Sequence, residues 1–209
     1  MPAGSSMEPG LKRMQNTLLV TGKKVSRNAV AVMIDHPVLS SFLVALGVRV
    51  VFAASSSLFH EGVLIPDEGQ YLTLAMMASE GKLTPEFWPE YGQSLFDSTR
   101  TFMWPLTALF WVFGPFRIVG QLLVAVFGAA TAAASAGLAG RFLRRPFALA
   151  AGLTVALLPS QILWSSVVLR ESLIWSGLAA MALVVGYSQQ SDSRSRIVLS
   201  TVSLGLLFV

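Results

Sequence analysis

Between Pro37 and Phe59 the chain runs for 23 residues with a single charged side chain, Arg49. At 1.5 Å per residue a helix of that length measures about 35 Å, enough to cross a hydrocarbon layer of about 30 Å. A charge near the middle of such a span costs about 2.5 to 3.5 kcal/mol on insertion scales, so Arg49 has to reach a surface, a buried protein partner or a charged ligand. The preceding segment holds Lys12, Arg13, Lys23, Lys24 and Arg27 against Glu8 and Asp35. It lacks a compact apolar core ending at a small-residue cleavage site, so residues 1–36 read as a basic cytoplasmic tail and not as a signal peptide.

Composition generalises the point. Charged residues make up 12% of the 209, and the mean hydropathy is +0.64. Soluble domains carry roughly a quarter charged residues. The chain therefore reads as an all-α integral membrane protein. Its net charge of +4 is scattered along apolar segments, which argues against nucleic acid as a partner and suits topology signals. With no cysteine, disulfides and thiolate metal sites are excluded.

Further spans are expected over about 117–140, 147–168 and 172–188. The small-residue run from Gly128 to Gly137 in the first of these invites close helix packing. Pro159 kinks the second, leaving a freed carbonyl for Ser160 or a neighbour to satisfy. A fifth span begins at 197 and has thirteen residues by 209, too few to cross, so a longer chain or a partner chain is expected to complete the bundle.

Residues 60–116 form a long first extracytoplasmic loop. From 60 to 100 it holds seven acids against Lys82 and Arg100, and a loop this long usually has a function. Within it, 101–113 is apolar and aromatic but too short to span. An interfacial or re-entrant helix there keeps Arg141, Arg144 and Arg145 on the cytoplasmic side, as the positive-inside rule prefers.

The stretch Ile65-Pro66-Asp67-Glu68-Gly69-Gln70-Tyr71 opens a helix of about 67–80. Pro66 suits the first helical position, acids suit the first turn, and Gly81 suits the stop. Asp67 and Tyr71 would share a face continued by Leu74 and Ala78. The topology gathers Asp67, Glu68, Arg100, Arg170 and Glu171 on the outer side, with Arg49 reaching toward them. Acids and arginines converging there suit a reaction on a lipid phosphate, the arginine binding phosphate and a carboxylate acting as general base. A structural network of ion pairs would have the same sequence signature.

Asp67-Glu68 with Tyr71, then Ala75 and Gly81-Lys82, after a span containing an arginine, resembles the GT-C glycosyltransferases. The likeness is to the bacterial family akin to protein O-mannosyltransferases and to the aminoarabinose transferases of lipid A. Trp104-Pro105-Leu106 through Phe113-Gly114 is similar to that family's aromatic juxtamembrane stretch, and Arg117 to the arginine that often opens the next span. Leu158-Pro159-Ser160 with Leu169-Arg170-Glu171-Ser172-Leu173 is similar to its proline and second acidic position. The match covers roughly residues 49–186.

The resemblance implies a GT-C-like polytopic helix bundle with juxtamembrane helices in its first outer loop. It implies a sugar donor carried on polyprenyl phosphate, with Asp67 as catalytic base and Glu68 as supporting carboxylate. Glu171 would shape the pocket or bind the acceptor or a divalent metal. Among the substrate-binding candidates, Arg170 is a phosphate ligand by its place beside Glu171. Arg49, Tyr71 and Arg100 complete the set, although Tyr71 reads better as a packing residue. Family members are longer and carry more spans. From a different class, a non-catalytic transport or assembly subunit whose loop acids bind a cation or a partner also fits the residues.

Overall fold

The computed structural model describes residues 28–59, 62–82, 90–188 and 205. Most of the basic tail, the junction at 60–61, the segment 83–89 and nearly all of the expected fifth span lie outside these. Among the described residues the chain is helical, with no strand. The elements are α1 (28–35), α2 (Pro37–Phe59), α3 (Pro66–Ser79), α4 (Glu90–Ser98), α5 (Arg100–Phe113), α6 (Arg117–Phe142), α7 (Arg145–Leu157), α8 (Pro159–Trp164) and α9 (Glu171–Ser188). Residues 28–35 of the segment assigned to the tail are thus helical, separated from α2 only by a bend at His36.

Helix α6 is the hub, packing against α2, α7, α9 and α5. Its small residues make this possible, because close backbone approach replaces the bulky interdigitation of a soluble core. Gly128 shows how close the approach is: a Cβ built there would lie 2.5 Å from Arg49 Nε and from Ser165 Cβ and Oγ. On α7, a Cβ at Gly152 would collide with Ser41 Oγ and sit 2.7 Å from Ala136 Cβ. We expect Gly128→Ala to destabilise the fold by about 1 to 3 kcal/mol through overpacking, read as a lowered melting temperature of the chain in detergent.

Contacts at the two ends of the bundle fix its directions. At one end Asp35, just before α2, meets Arg145, the first residue of α7, at 3.2 Å, and Arg141 near the end of α6 stacks on Tyr187 near the end of α9. At the other end Ser56 and Ser57 near the close of α2 hydrogen-bond Gln121 in the second turn of α6. Neighbouring helices therefore alternate in direction, α2 and α7 one way, α6 and α9 the other.

Two helices, Pro37–Phe59 and Arg117–Phe142, are long and apolar enough to cross a membrane. Only 22% of the most apolar window of α2 is buried inside the structure, whereas the core helix of a soluble protein hides most of its apolar surface. Val38, Leu39, Leu43 and Val51 on α2, Val126 on α6 and Ile174, Leu178 and Val185 on α9 face outward.

The expected continuous span at 147–168 is instead broken. Helix α7 has 13 residues, about 20 Å of helix. Leu158 is extended at φ −63, ψ 120, α8 adds six residues, and 165–170 is irregular. Ser165, Ser166, Val167 and Val168 are nevertheless wholly buried. Non-helical backbone needs such burial in protein, with its polar groups satisfied there.

Arg49 does part of that work. Its side chain is wholly buried; Nη1 donates to Ala156 O at 3.1 Å and to Ala45 O at 3.0 Å, and Nε donates to Ser165 Oγ at 2.6 Å. Ser165 Oγ in turn donates to Gln161 O. One carbonyl freed by the break, that of Ala156, is thus taken by an arginine from a different helix, where the sequence pointed to Ser160 or a neighbour.

Candidate functional site

Helix α3 begins and ends on the expected residues. Ile65 is the N-cap, Pro66 occupies the first helical position, and Glu68 N–H donates to Ile65 O at 3.1 Å. At the other end Gly81, at φ +71, donates to Ala78 O and Lys82 N–H donates to Met77 O, the paired bonds of a Schellman stop that favour glycine at that position. The orientation of the helix differs from expectation. Its buried residues are Glu68, Tyr71, Leu74 and Ala75, while Asp67 is exposed. Tyr71 and Asp67 therefore do not share a surface: the ring of Tyr71 packs edge-on against Phe102 at 5.6 Å, in an apolar cluster with Met103, Val124 and residues 167–169.

Rotation of α3 toward that cluster carries Glu68 inside, where its carboxylate collects donors from three segments. Arg117, the first residue of α6, donates from Nε to Oε1 at 3.0 Å and from Nη2 to Oε2 at 2.9 Å. Leu64 N–H donates to Oε2 at 3.1 Å and Val168 N–H to Oε1 at 3.4 Å, the weakest of the four. Arg117 Nη1 also donates to the carbonyl of Gly62, whose φ of +101 favours glycine. The fork geometry of guanidinium against carboxylate makes this the strongest kind of side-chain pair. One carboxylate and one guanidinium thus tie residues 62–65, α3, the start of α6 and the irregular 165–170 segment into a single knot.

The other candidates occupy varied positions around this knot. Asp67 makes no hydrogen bond or ion pair among the described residues. Arg170 is exposed, and Glu171, which opens α9, is half-buried with Oε2 enclosed and without a hydrogen-bond partner in the structure. Ser172 Oγ donates to Trp164 O at 3.0 Å, closing the irregular segment. Arg49 meets that segment at Ser165, three residues before Val168, and does not reach the end of the bundle where Glu68 meets Arg117. Arg100, the first residue of α5, turns back on the end of α4, with Nε donating to Asp97 O at 3.2 Å and Nη2 lying 3.9 Å from Asp97 Oδ1. The structure therefore gathers Glu68 and the 165–171 segment, leaves Asp67 beside them in solvent, and places Arg49 and Arg100 in other duties. Among the described residues no three acidic or histidine side chains converge to hold a metal ion.

Arg117 is the residue that sequence reasoning did not place in the site. Its one visible signal was its position, a lone arginine opening an apolar helix on the same side as the loop acids. A charge there has to find a partner, and of the acids nearby only Glu68 lies on the inner face of α3.

Comparison with known proteins adds no family: no family model, curated protein or solved structure matches the chain.

Proposed function

We propose that the chain is a membrane glycosyltransferase of GT-C type, or its N-terminal part, moving a sugar from a polyprenyl-phosphate donor to an acceptor hydroxyl on the extracytoplasmic side. The observation that carries this reading is the unequal treatment of two adjacent carboxylates. Glu68 is spent on internal bonds that fix the first turn of α3, and Asp67 in that same turn is held in place yet left open to a ligand. A general base needs this combination of fixed position and free lone pairs. In the proposed step Asp67 takes the proton of the acceptor hydroxyl as its oxygen bonds the anomeric carbon. The bond from that carbon to the phosphate oxygen breaks, and polyprenyl phosphate leaves with the electron pair. In this reading Arg170, exposed beside Glu171, receives the phosphate charge, and Glu171, with one oxygen lacking a partner, orients the acceptor.

In this reading α2 and α6 cross the membrane with the N-terminus in the cytoplasm, and α5 lies at the outer boundary. Helix α5 supports that placement. Phe102, Met103, Leu106 and Phe110 pack inward, while Trp104, Trp111 and Phe113 are exposed on the outside, an arrangement suited to a membrane–water interface. Single cysteines at the exposed positions Asp97 and Leu143 should then react with an impermeant thiol reagent from opposite sides of the membrane. Labelling of both from one side contradicts the topology.

The second reading, a non-catalytic transport or assembly subunit, is favoured by a specific observation: Glu68 and Arg117 are consumed in internal bonds, which an ion-pair framework needs and a substrate site does not. Transfer of sugar from a polyprenyl-phosphate donor by membranes holding the full chain separates the two. The enzyme reading expects transfer that Asp67→Asn removes; an inert wild-type chain favours the subunit, and transfer undiminished by Asp67→Asn overturns the assignment of Asp67 as base.

A further inference from the structure

We propose that the turn joining α6 to α7 is a docking surface for the phosphate headgroup of an anionic glycerophospholipid. From 141 to 147 the sequence reads Arg141-Phe142-Leu143-Arg144-Arg145-Pro146-Phe147. Phe142, Leu143 and Phe147 are 64%, 53% and 61% exposed, so the apolar side chains that alternate with the arginines find no cover within the chain.

The cations are only partly compensated. Arg145 pairs with Asp35 at 3.2 Å, and both side chains are well exposed, so the pair is screened and weak. Arg141 lies over the Tyr187 ring at 3.6 Å, a contact that fixes the guanidinium without neutralising it. Its Nε is enclosed and without a hydrogen-bond partner in the structure. Arg144 is exposed and forms no ion pair among the described residues. Among the described residues three guanidinium groups thus share one carboxylate, an excess of two positive charges.

The pairing of these features selects the occupant. A free anion would satisfy the arginines and leave Phe142, Leu143 and Phe147 in water. An anionic phospholipid satisfies both, its phosphate taking the guanidinium donors and its acyl chains covering the apolar side chains. At the same end of the bundle, just after Asp35, Val38 and Leu39 at the start of α2 also face outward, so the basic groups fall where an outward apolar surface ends. The inference requires the chain to sit in a membrane but is independent of sugar transfer.

The test is native mass spectrometry of the full chain in mild detergent, offered equal amounts of phosphatidylglycerol and phosphatidylcholine. The wild type should retain phosphatidylglycerol in preference by about tenfold or more, as each uncompensated arginine contributes roughly fivefold. Arg144→Gln should reduce the preference about fivefold, and Arg144→Lys should keep most of it. Because Arg144 is exposed, both variants should melt as the wild type does. Equal retention of the two lipids by the wild type, or a preference untouched by Arg144→Gln, overturns the proposal. A preference that millimolar inorganic phosphate abolishes also overturns it, in favour of a free-anion site. None of these outcomes bears on the role of Asp67.

Discussion

Replacing Glu68 with glutamine is expected to destabilise the fold by about 3 to 5 kcal/mol, because it breaks one side of a buried ion pair and leaves the other charge enclosed. The carboxylate accepts four hydrogen bonds from three segments. Glutamine offers one acceptor oxygen and turns an NH2 toward donors. At 2 to 4 °C per kcal/mol for a domain of this size, the melting temperature in detergent should fall by roughly 10 °C. Arg117→Gln should cost about as much, since it strands the Glu68 carboxylate. The double substitution should cost less than the sum of the two, and a cycle of the four proteins measures the coupling. Simple additivity would mean that the pair does not act as one unit.

Asp67→Asn is expected to behave in the opposite way. Its side chain is exposed and makes no bond among the described residues, so the change in stability should stay within about 0.5 kcal/mol. If Asp67 is the base of sugar transfer, the rate should drop by about 10² to 10⁴, the usual contribution of general base catalysis. Loss of transfer with an unchanged melting temperature separates a chemical role from a structural one.

How much of this was legible in the sequence depended on the range of the interaction. The boundaries of α3 were readable because Pro66, the first-turn acids and Gly81 act within a few residues of themselves. The alternating directions of α2, α6, α7 and α9 followed from the lengths of the apolar runs, from 101–113 being too short to span, and from the short connections after α6 and before α9. The rotation of α3 about its axis was not readable. It is set by where Val167, Val168 and Leu169 pack, a hundred residues along the chain, and it decides which of two adjacent acids is buried. The partnership of Glu68 with Arg117 was hidden for the same reason.

Arg49 shows the other limit. The cost of its charge was plain and a buried protein partner was one of the options. The receiver, however, is created by the break after Leu157, and the sequence suggested a kinked but continuous helix. Pro159 marked the place without revealing that the backbone would remain irregular to residue 170. Small residues on α6, above all Gly128, had signalled close packing; what they admit is the Arg49 side chain and Ser165.

The central claim is that Asp67 and Glu68, adjacent in sequence and alike in chemistry, divide their work, one free and one structural. The most direct measurement is the melting temperature of Asp67→Asn and Glu68→Gln against the wild-type chain in the same detergent. The account predicts no change beyond about 2 °C for the first and a fall of roughly 10 °C for the second. Equal shifts for the two, or a larger fall for Asp67→Asn, would contradict it.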